Sequence, residues 1–488
     1  METLQRTANR GSISTGGYDI DNSCKFEDDN SEWFSKTTGS DWNRVKWTAS
    51  FWVKRGELGA TSSNVRFFAA SDANYDFRVR FQSTGDTLAF YNSDSTGSCS
   101  QNSTAVFRDT SAWYHIVAVW DTANSTAGNR QRLYVNGVEI TDFATDTQPA
   151  QNQKSVWGKT DDGSGTVTMG IGAQYNYYSG FTQGYCGYMA EWHWVEGQAL
   201  SPTDFGEYDE NSGIWKPKEY EGTYGTNGFY LDFEDASDLG ADASGNGNHW
   251  TKNNITSANQ ATDTPTNNFC TWNPLQTGWN TNYGTGQVIV EGATEAYAST
   301  NYAAIEGSMA VQSGKWYWES KPNRTGGIMV GVAALNGIRW AGDTAYWYLG
   351  MNAQGIGTIL GNFYYNGSVV STDATDWTNG DIVSIALDMD NYKIYMAVNG
   401  SWGGTSNPAT GTGGYDFSSA SNFTSNFVVP AGRIETANSS YVIETNFGGY
   451  TTMSIASGNS DSSGYGNFEY APPSGYYALC TKNLAEFG

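Results

Sequence analysis

Residues Trp113–Asp121 read WYHIVAVWD, and this run constrains the chain more than any other. In extended backbone, successive side chains point to opposite faces. His115, Val117 and Val119 then share one face, and Ile116, Ala118 and Trp120 the other. A strand with apolar groups on both faces belongs inside a layered sheet covered from both sides. The run RLYVNGVEI (Arg132–Ile140) follows as a hairpin, because Asn136-Gly137 supplies the two positive-φ residues of a type I′ turn. VKWTASFWVKRG (Val45–Gly56) alternates in the same way. No long stretch carries an apolar period of 3.6, which excludes a helical fold. One helical turn is expected at Pro202, capped by Ser201.

The rest of the chain extends this reading. A length of 488 residues predicts two to four domains. With 58 Gly and only 10 Pro, and Ser, Thr and Asn between short apolar runs, the chain reads as an all-β protein with many turns. Residues 1–15 read as an arm and 16–215 as a first sandwich. Residues 216–280 read as a connector packed on it, since Tyr230, Phe233 and Trp250 call for burial. Residues 281–488 restart the β pattern. There, DIVSIALDMDNYKIYMAVNG (Asp381–Gly400) is a long hairpin with Val383, Ile385, Leu387, Met389, Ile394, Met396 and Val398 on one face. Both halves use a strand that ends in Val-Asn-Gly, at Val135–Gly137 and Val398–Gly400.

Charge and cysteine usage limit the function. A net charge of −24, from 26 Lys+Arg against 50 Asp+Glu, disfavours nucleic acid and anionic membranes as partners. No segment reaches the roughly 18 apolar residues of a membrane-spanning helix. METLQRTANR lacks an apolar core, so no secretory signal is expected. The five cysteines, Cys24, Cys99, Cys186, Cys270 and Cys480, are scattered without a CxxC pair. That argues for reduced, partly buried thiols rather than disulfides or a zinc site.

Several runs carry a family resemblance. AWYHIVAVWDT, NRQRLYVNGVEI, MGIGA and GYCGYMAEWHWVEGQALSPTDF occur in the order found in laminin-G/pentraxin-like modules of the concanavalin A-like lectin/glucanase superfamily. The first half, from about Asp19 to Asp204, resembles such a module. The second half resembles a SPRY domain through SGKWYWES, MVGVA, GDIVSIALDMDNYKIYMAVNG and ETNFGG. The closing YAPPSGYYALCTKNL and the linking TDTPTNNF resemble virion structural and tail-fibre-type proteins of marine and cyanobacterial bacteriophages. The resemblance implies two concanavalin-like antiparallel β-sandwiches, or jelly rolls, in tandem. It further implies a place on the outer surface of a virion, on tail or capsid, after synthesis in a host cytoplasm. The partners it implies are other virion proteins and a host cell-surface glycan, with a homo-oligomer such as the trimers common among phage fibres.

Three sets of residues are candidates for chemistry. EWHWVE (Glu191–Glu196) holds two carboxylates and a histidine, the raw material of a retaining glycosidase. On a regular strand Glu191 and Glu196 point to opposite faces, and His193 stands where laminarinase-like enzymes of the superfamily carry an Asp. The stretch therefore reads as the closing strand of the first sandwich, and the chain as no enzyme, with polysaccharide hydrolysis a third function after adhesin and structural part. Asp232, Asp242 and Asn246 are candidate ligands for Ca²⁺, which takes six to eight oxygens. The same DASGNGN run forms Asx turns without any ion. Aromatic loops supply candidate carbohydrate- or partner-binding residues: Tyr175, Tyr177, Tyr178 and Phe181, and Trp340, Tyr346 and Trp347. Aromatic rings offer flat apolar platforms to sugars, and they equally fill cores and subunit interfaces. Two functions remain: a fibre or adhesin that binds host glycan, and a capsid decoration or tail-attached part that binds only virion proteins.

Overall fold

The computed structural model describes residues 17–58, 65–160, 167–176, 180–210, 212–275, 286–301, 303–335, 349–359, 361–372 and 374–488. The chain divides between Thr266 and Asn267 into two compact units. Each unit is all-β and built on two main antiparallel sheets.

In the first unit one sheet runs, in spatial order, through Val138–Glu139, Gln131–Val135, Trp113–Asp121, Lys46–Arg55, Gly187–Glu196, Ser23–Phe26 and Gln260–Ala261, with Phe229–Leu231 also paired to Gly187–Glu196. The other runs through Phe143–Thr147, Gly97–Val106, Thr87–Asp94, Asp76–Phe81, Val65–Ser71, Thr168–Ile171, Trp33–Lys36 and Thr251–Asn253. Alternation decides what each strand contributes. Trp47, Ala49, Phe51 and Val53 face inward from one strand, and Phe77, Val79 and Phe81 from another. Between the sheets Trp47 lies 4.5 Å from Trp194, and Trp192 stacks on Phe51 at 5.4 Å. Burying one such side chain contributes about 2–3 kcal/mol.

The first sheet is covered on its outer face as well. Val117 and Val119 pack there with Tyr134, and Trp215 donates its indole N–H to His115 Nδ1 at 2.9 Å. This double burial is the reason both registers of Trp113–Asp121 are apolar. The Asn136-Gly137 turn has φ of 49° and 80°. A Cβ on Gly137 would lie 2.5 Å from the Trp215 ring, so glycine is required twice over. Asn399-Gly400 repeats the device in the second unit, with φ of 47° and 77° and the ring of Tyr470 against Gly400. Ser201 caps a single 3₁₀ turn, Pro202–Asp204, in a reciprocal capping box.

The segment 216–280 does not act as one connector. Its first part joins the sheets of the first unit through Phe229–Leu231, Thr251–Asn253 and Gln260–Ala261. Phe233 and Trp250 are buried in the core. Asp263 anchors the end of this part: it pairs with Lys54 at 2.6 Å and accepts from Trp113 Nε1 at 3.0 Å, with Lys54 and Asp263 each only 1% exposed. From Asn267 onward the chain belongs to the second unit, where Cys270 and Trp272 enter the core. Composition marks this polar stretch as turns, but it does not reveal that one buried aspartate fixes where the first unit ends.

Among the described residues the second unit has a nine-stranded sheet centred on Lys315–Pro322 and Val383–Asp388, and a six-stranded sheet centred on Val428–Ile434 and Ile328–Ala334. Trp272, Trp316, Trp318 and the hairpin residues Val383, Ile385, Leu387, Met389, Ile394, Met396 and Val398 share its core. A short helix, Thr481–Phe487, follows the last strand. All five cysteines are buried. Among the described residues no helix is long and apolar enough to cross a membrane.

Candidate functional site

The closing strand Gly187–Glu196 carries a bulge between Ala190 and His193, with Glu191 at φ 52°. The extra residue lets Met189, Trp192 and Trp194 all reach the core. It does not bring the two glutamates together. Glu191 accepts hydrogen bonds from the Tyr18 hydroxyl at 2.8 Å and the Tyr230 hydroxyl at 2.6 Å. His193 Nε2 lies 3.4 Å from the same carboxylate, its Nδ1 lies 2.9 Å from the Tyr224 hydroxyl, and its ring stacks on Tyr230 at 4.3 Å. Burial and the Glu191 charge push both the Tyr18 and the Tyr230 phenols far up, so both stay protonated and able to donate. Glu196 instead accepts from the backbone of Asn43 and Asn227 and from the Asn227 side chain. Each carboxylate is held by its own donors, and Glu191 and His193 are 5% and 3% exposed. The cluster is a filled polar plug beneath the segment that roofs this sheet.

Asp242 is a turn acceptor. It receives the backbone N–H groups of Tyr230, Ser244 and Asn248 at 2.9, 2.9 and 2.7 Å. Asn246 donates its side-chain amide to the carbonyls of Gly225 and Gly228, and Asp232 accepts from the backbone of Glu234. Among the described residues no three His, Cys, Asp or Glu side chains converge as a metal-binding group.

The second sheet of the first unit presents a different outer face. Trp33 lies on it, and Tyr175 stacks on Trp33 at 5.9 Å with 13° between the planes. Phe181 meets the same indole at 6.0 Å. Tyr175 and Phe181 are cross-strand partners in the hairpin Gln174–Asn176 with Gly180–Thr182. That hairpin is tied to the sheet by Ser71 Oγ donating to the Tyr175 carbonyl at 2.7 Å and by Gln174 Nε2 donating to Asp76 at 3.1 Å. Gly170 makes room for Trp33, since a Cβ there would sit 3.1 Å from the ring and 2.6 Å from the Ala173 carbonyl. Tyr175 and Phe181 remain half-buried at the rim. The other aromatic candidates, Tyr177, Tyr178, Trp340, Tyr346 and Trp347, lie outside the described residues.

Next along the same face stand Asp76, Arg78, Arg80 and Arg66. Arg78 pairs with Asp76 and lies over the Tyr91 ring at 4.3 Å. Burial, with Arg78 and Arg80 beside it, pushes the Arg66 guanidinium down to about 9, and burial with Arg78 takes Arg80 to about 10. These arginines are not among the candidates that the sequence suggested. The signal was in DFRVRF, where inward Phe77, Val79 and Phe81 oblige Asp76, Arg78 and Arg80 to share the outer face.

Comparison with known proteins places part of this architecture. The Laminin_G_3 family, of the concanavalin A-like lectin/glucanases superfamily, matches residues 28–179. No curated protein matches the chain. Similar solved structures include the SPRY domain of human HERC1, at 17% identity and a TM-score of 0.26, covering 34% of this chain and 94% of that one. A heptameric SAP-like pentraxin from Limulus polyphemus is 15% identical with a TM-score of 0.27, over 38% of this chain and 80% of that one. A putative carbohydrate binding protein from Bacteroides ovatus is 16% identical with a TM-score of 0.31, over 48% of this chain and 59% of that one.

Proposed function

We propose that the chain is a non-enzymatic, lectin-like protein that binds a saccharide on the outer face of the second sheet of its first sandwich. The observation that carries this reading is the aromatic rim of Tyr175 and Phe181, backed by the buried Trp33 ring and set beside Gln174, Asp76 and Arg78. Saccharide sites combine an aromatic platform with a few convergent polar groups. On the first sheet Glu191 and His115 are buried and already hold partners. Hydrolysis needs two carboxylates on one bond, and Glu191 and Glu196 are each committed to separate donors. The phage-like sequence resemblance supports a place on the outside of a virion, as a fibre or head component, with virion proteins or further copies of the chain as neighbours.

A glycan array followed by calorimetry tests the binding reading. Trp33→Ala and Tyr175→Ala should each weaken binding of the hit at least tenfold while the fold is retained. An array without hits, on particles that lose integrity without the protein, would replace the adhesin with a structural part. Antibody labelling of particles in the electron microscope tests the virion placement.

A further inference from the structure

We infer that the saccharide bound on this face carries an oxyanion, a sulfate or a uronate carboxylate, held by the row Arg66, Arg80 and Arg78. The inference rests on the proposed saccharide site and names the chemical class of its ligand. Arg66 and Arg80 are direct cross-strand partners, and Arg78 follows two residues along on the same face. Like charges directly opposite destabilise a sheet. A chain with 50 Asp+Glu has ample acid to neutralise such a row. Yet the carboxylate acting on Arg66 and Arg80 is that of Asp76, which is already paired with Arg78.

The arginines are also left short of acceptors. Arg66 is 2% exposed, and its Nε and Nη1 are buried without a hydrogen-bond partner. Arg78 Nε and Arg80 Nε are unpartnered in the same way. Guanidinium N–H groups carry no acceptor of their own, so they cannot satisfy one another. Their planar forks match sulfate and carboxylate oxygens two at a time. The cross-strand neighbours of Arg78 and Arg80 include Ala69 and Ala89, short side chains that offer the guanidiniums no acceptor. The Arg78 guanidinium lies over the Tyr91 ring. The row is continuous with the aromatic rim through Asp76, which pairs with Arg78 and accepts from Gln174 of the hairpin.

The test is calorimetry on the full chain at fixed ionic strength with four probes. These are a sulfated galactan oligosaccharide, the same oligosaccharide desulfated, an oligogalacturonide, and inorganic sulfate. One charged sugar should bind at least tenfold tighter than the neutral one, and which one does identifies the anion. Arg66→Gln combined with Arg80→Gln should bring the charged sugar down to the affinity of the neutral one. Arg80→Gln alone, at a half-buried position, should recover part of that loss of preference if the double variant folds poorly. Equal affinity for charged and neutral sugars would overturn the inference and leave the saccharide reading standing. Arginine-dependent binding that ignores Trp33→Ala, or binding of inorganic sulfate with no sugar bound, would overturn the saccharide reading and leave the anion row standing. No binding of any probe would overturn both.

Discussion

His115 gives the sharpest test of how the first sheet is closed. It is fully buried, stacked between Trp52 at 4.8 Å and Trp215 at 5.8 Å. Trp215 can only donate, so His115 Nδ1 must accept, and the proton sits on Nε2 facing Ser50 Oγ at 2.8 Å. A second proton would point straight at the indole N–H. Burial, with a smaller effect from His193, accordingly takes the imidazole from 6.5 down to about 3. Because the folded value is depressed, the unfolded chain binds the extra proton first as pH falls below 6.5, and stability is lost toward pH 3. Each pH unit in that window costs about 1.4 kcal/mol, so the loss between pH 6.5 and 5.0 is about 2 kcal/mol. Glu57 has the opposite sign, since burial beside Asp28 and Asp29 raises it to about 7. The observable is therefore the difference between wild type and His115→Gln, which keeps an acceptor for Trp215 but does not titrate. Urea denaturation followed by tryptophan fluorescence should show wild type losing about 2 kcal/mol relative to the variant between pH 6.5 and 5.0. A difference that stays constant within about 0.5 kcal/mol would mean His115 titrates freely in the folded state. The roof over this sheet would then not be closed.

Three further perturbations follow from the same packing. Asp263→Ala strips the buried Lys54 ammonium of its counter-charge, and should cost about 3–5 kcal/mol in urea melts, whereas a loss under 1 kcal/mol would detach the 216–266 segment from the first unit. Gly137→Ala meets both a positive φ and the Trp215 ring, and should cost about 1–3 kcal/mol of stability. Glu306 is buried in the second unit with Oε1 unpartnered, and burial raises it from 4.5 to about 8. A raised carboxyl loses stability as pH climbs from 4.5 to 8, so Glu306→Gln should stabilise by up to about 3 kcal/mol at pH 7 and by little at pH 4.

Alternation made most of the strands legible, because the period of two survives in any strand with a buried face. Trp113–Asp121 carried more information than usual, since its outer face is buried too. Asn136-Gly137 and Asn399-Gly400 were readable because a tight turn leaves few residue choices. The ends of the first unit were not readable. Asp263 looks like any turn residue in TDTPTNNF, and only its long-range pairing with Lys54 reveals its role. The bulge at Glu191 was equally hidden, as nothing local distinguishes it from a regular strand. For the site, Tyr175 and Phe181 stood out as aromatic residues in a loop, while Trp33 became relevant only through packing across 142 positions of chain. The arginine row was written in DFRVRF, but its meaning depends on Arg66 arriving opposite Arg80, which is a matter of register.

The proposed binding face is the outer face of the second sheet. The most direct measurement is calorimetric titration of wild type, Trp33→Ala and Glu191→Gln with one glycan-array hit. Trp33→Ala should bind at least tenfold more weakly, and Glu191→Gln should keep wild-type affinity. Unchanged affinity in Trp33→Ala, with a loss in Glu191→Gln, would move the site to the first sheet and contradict it.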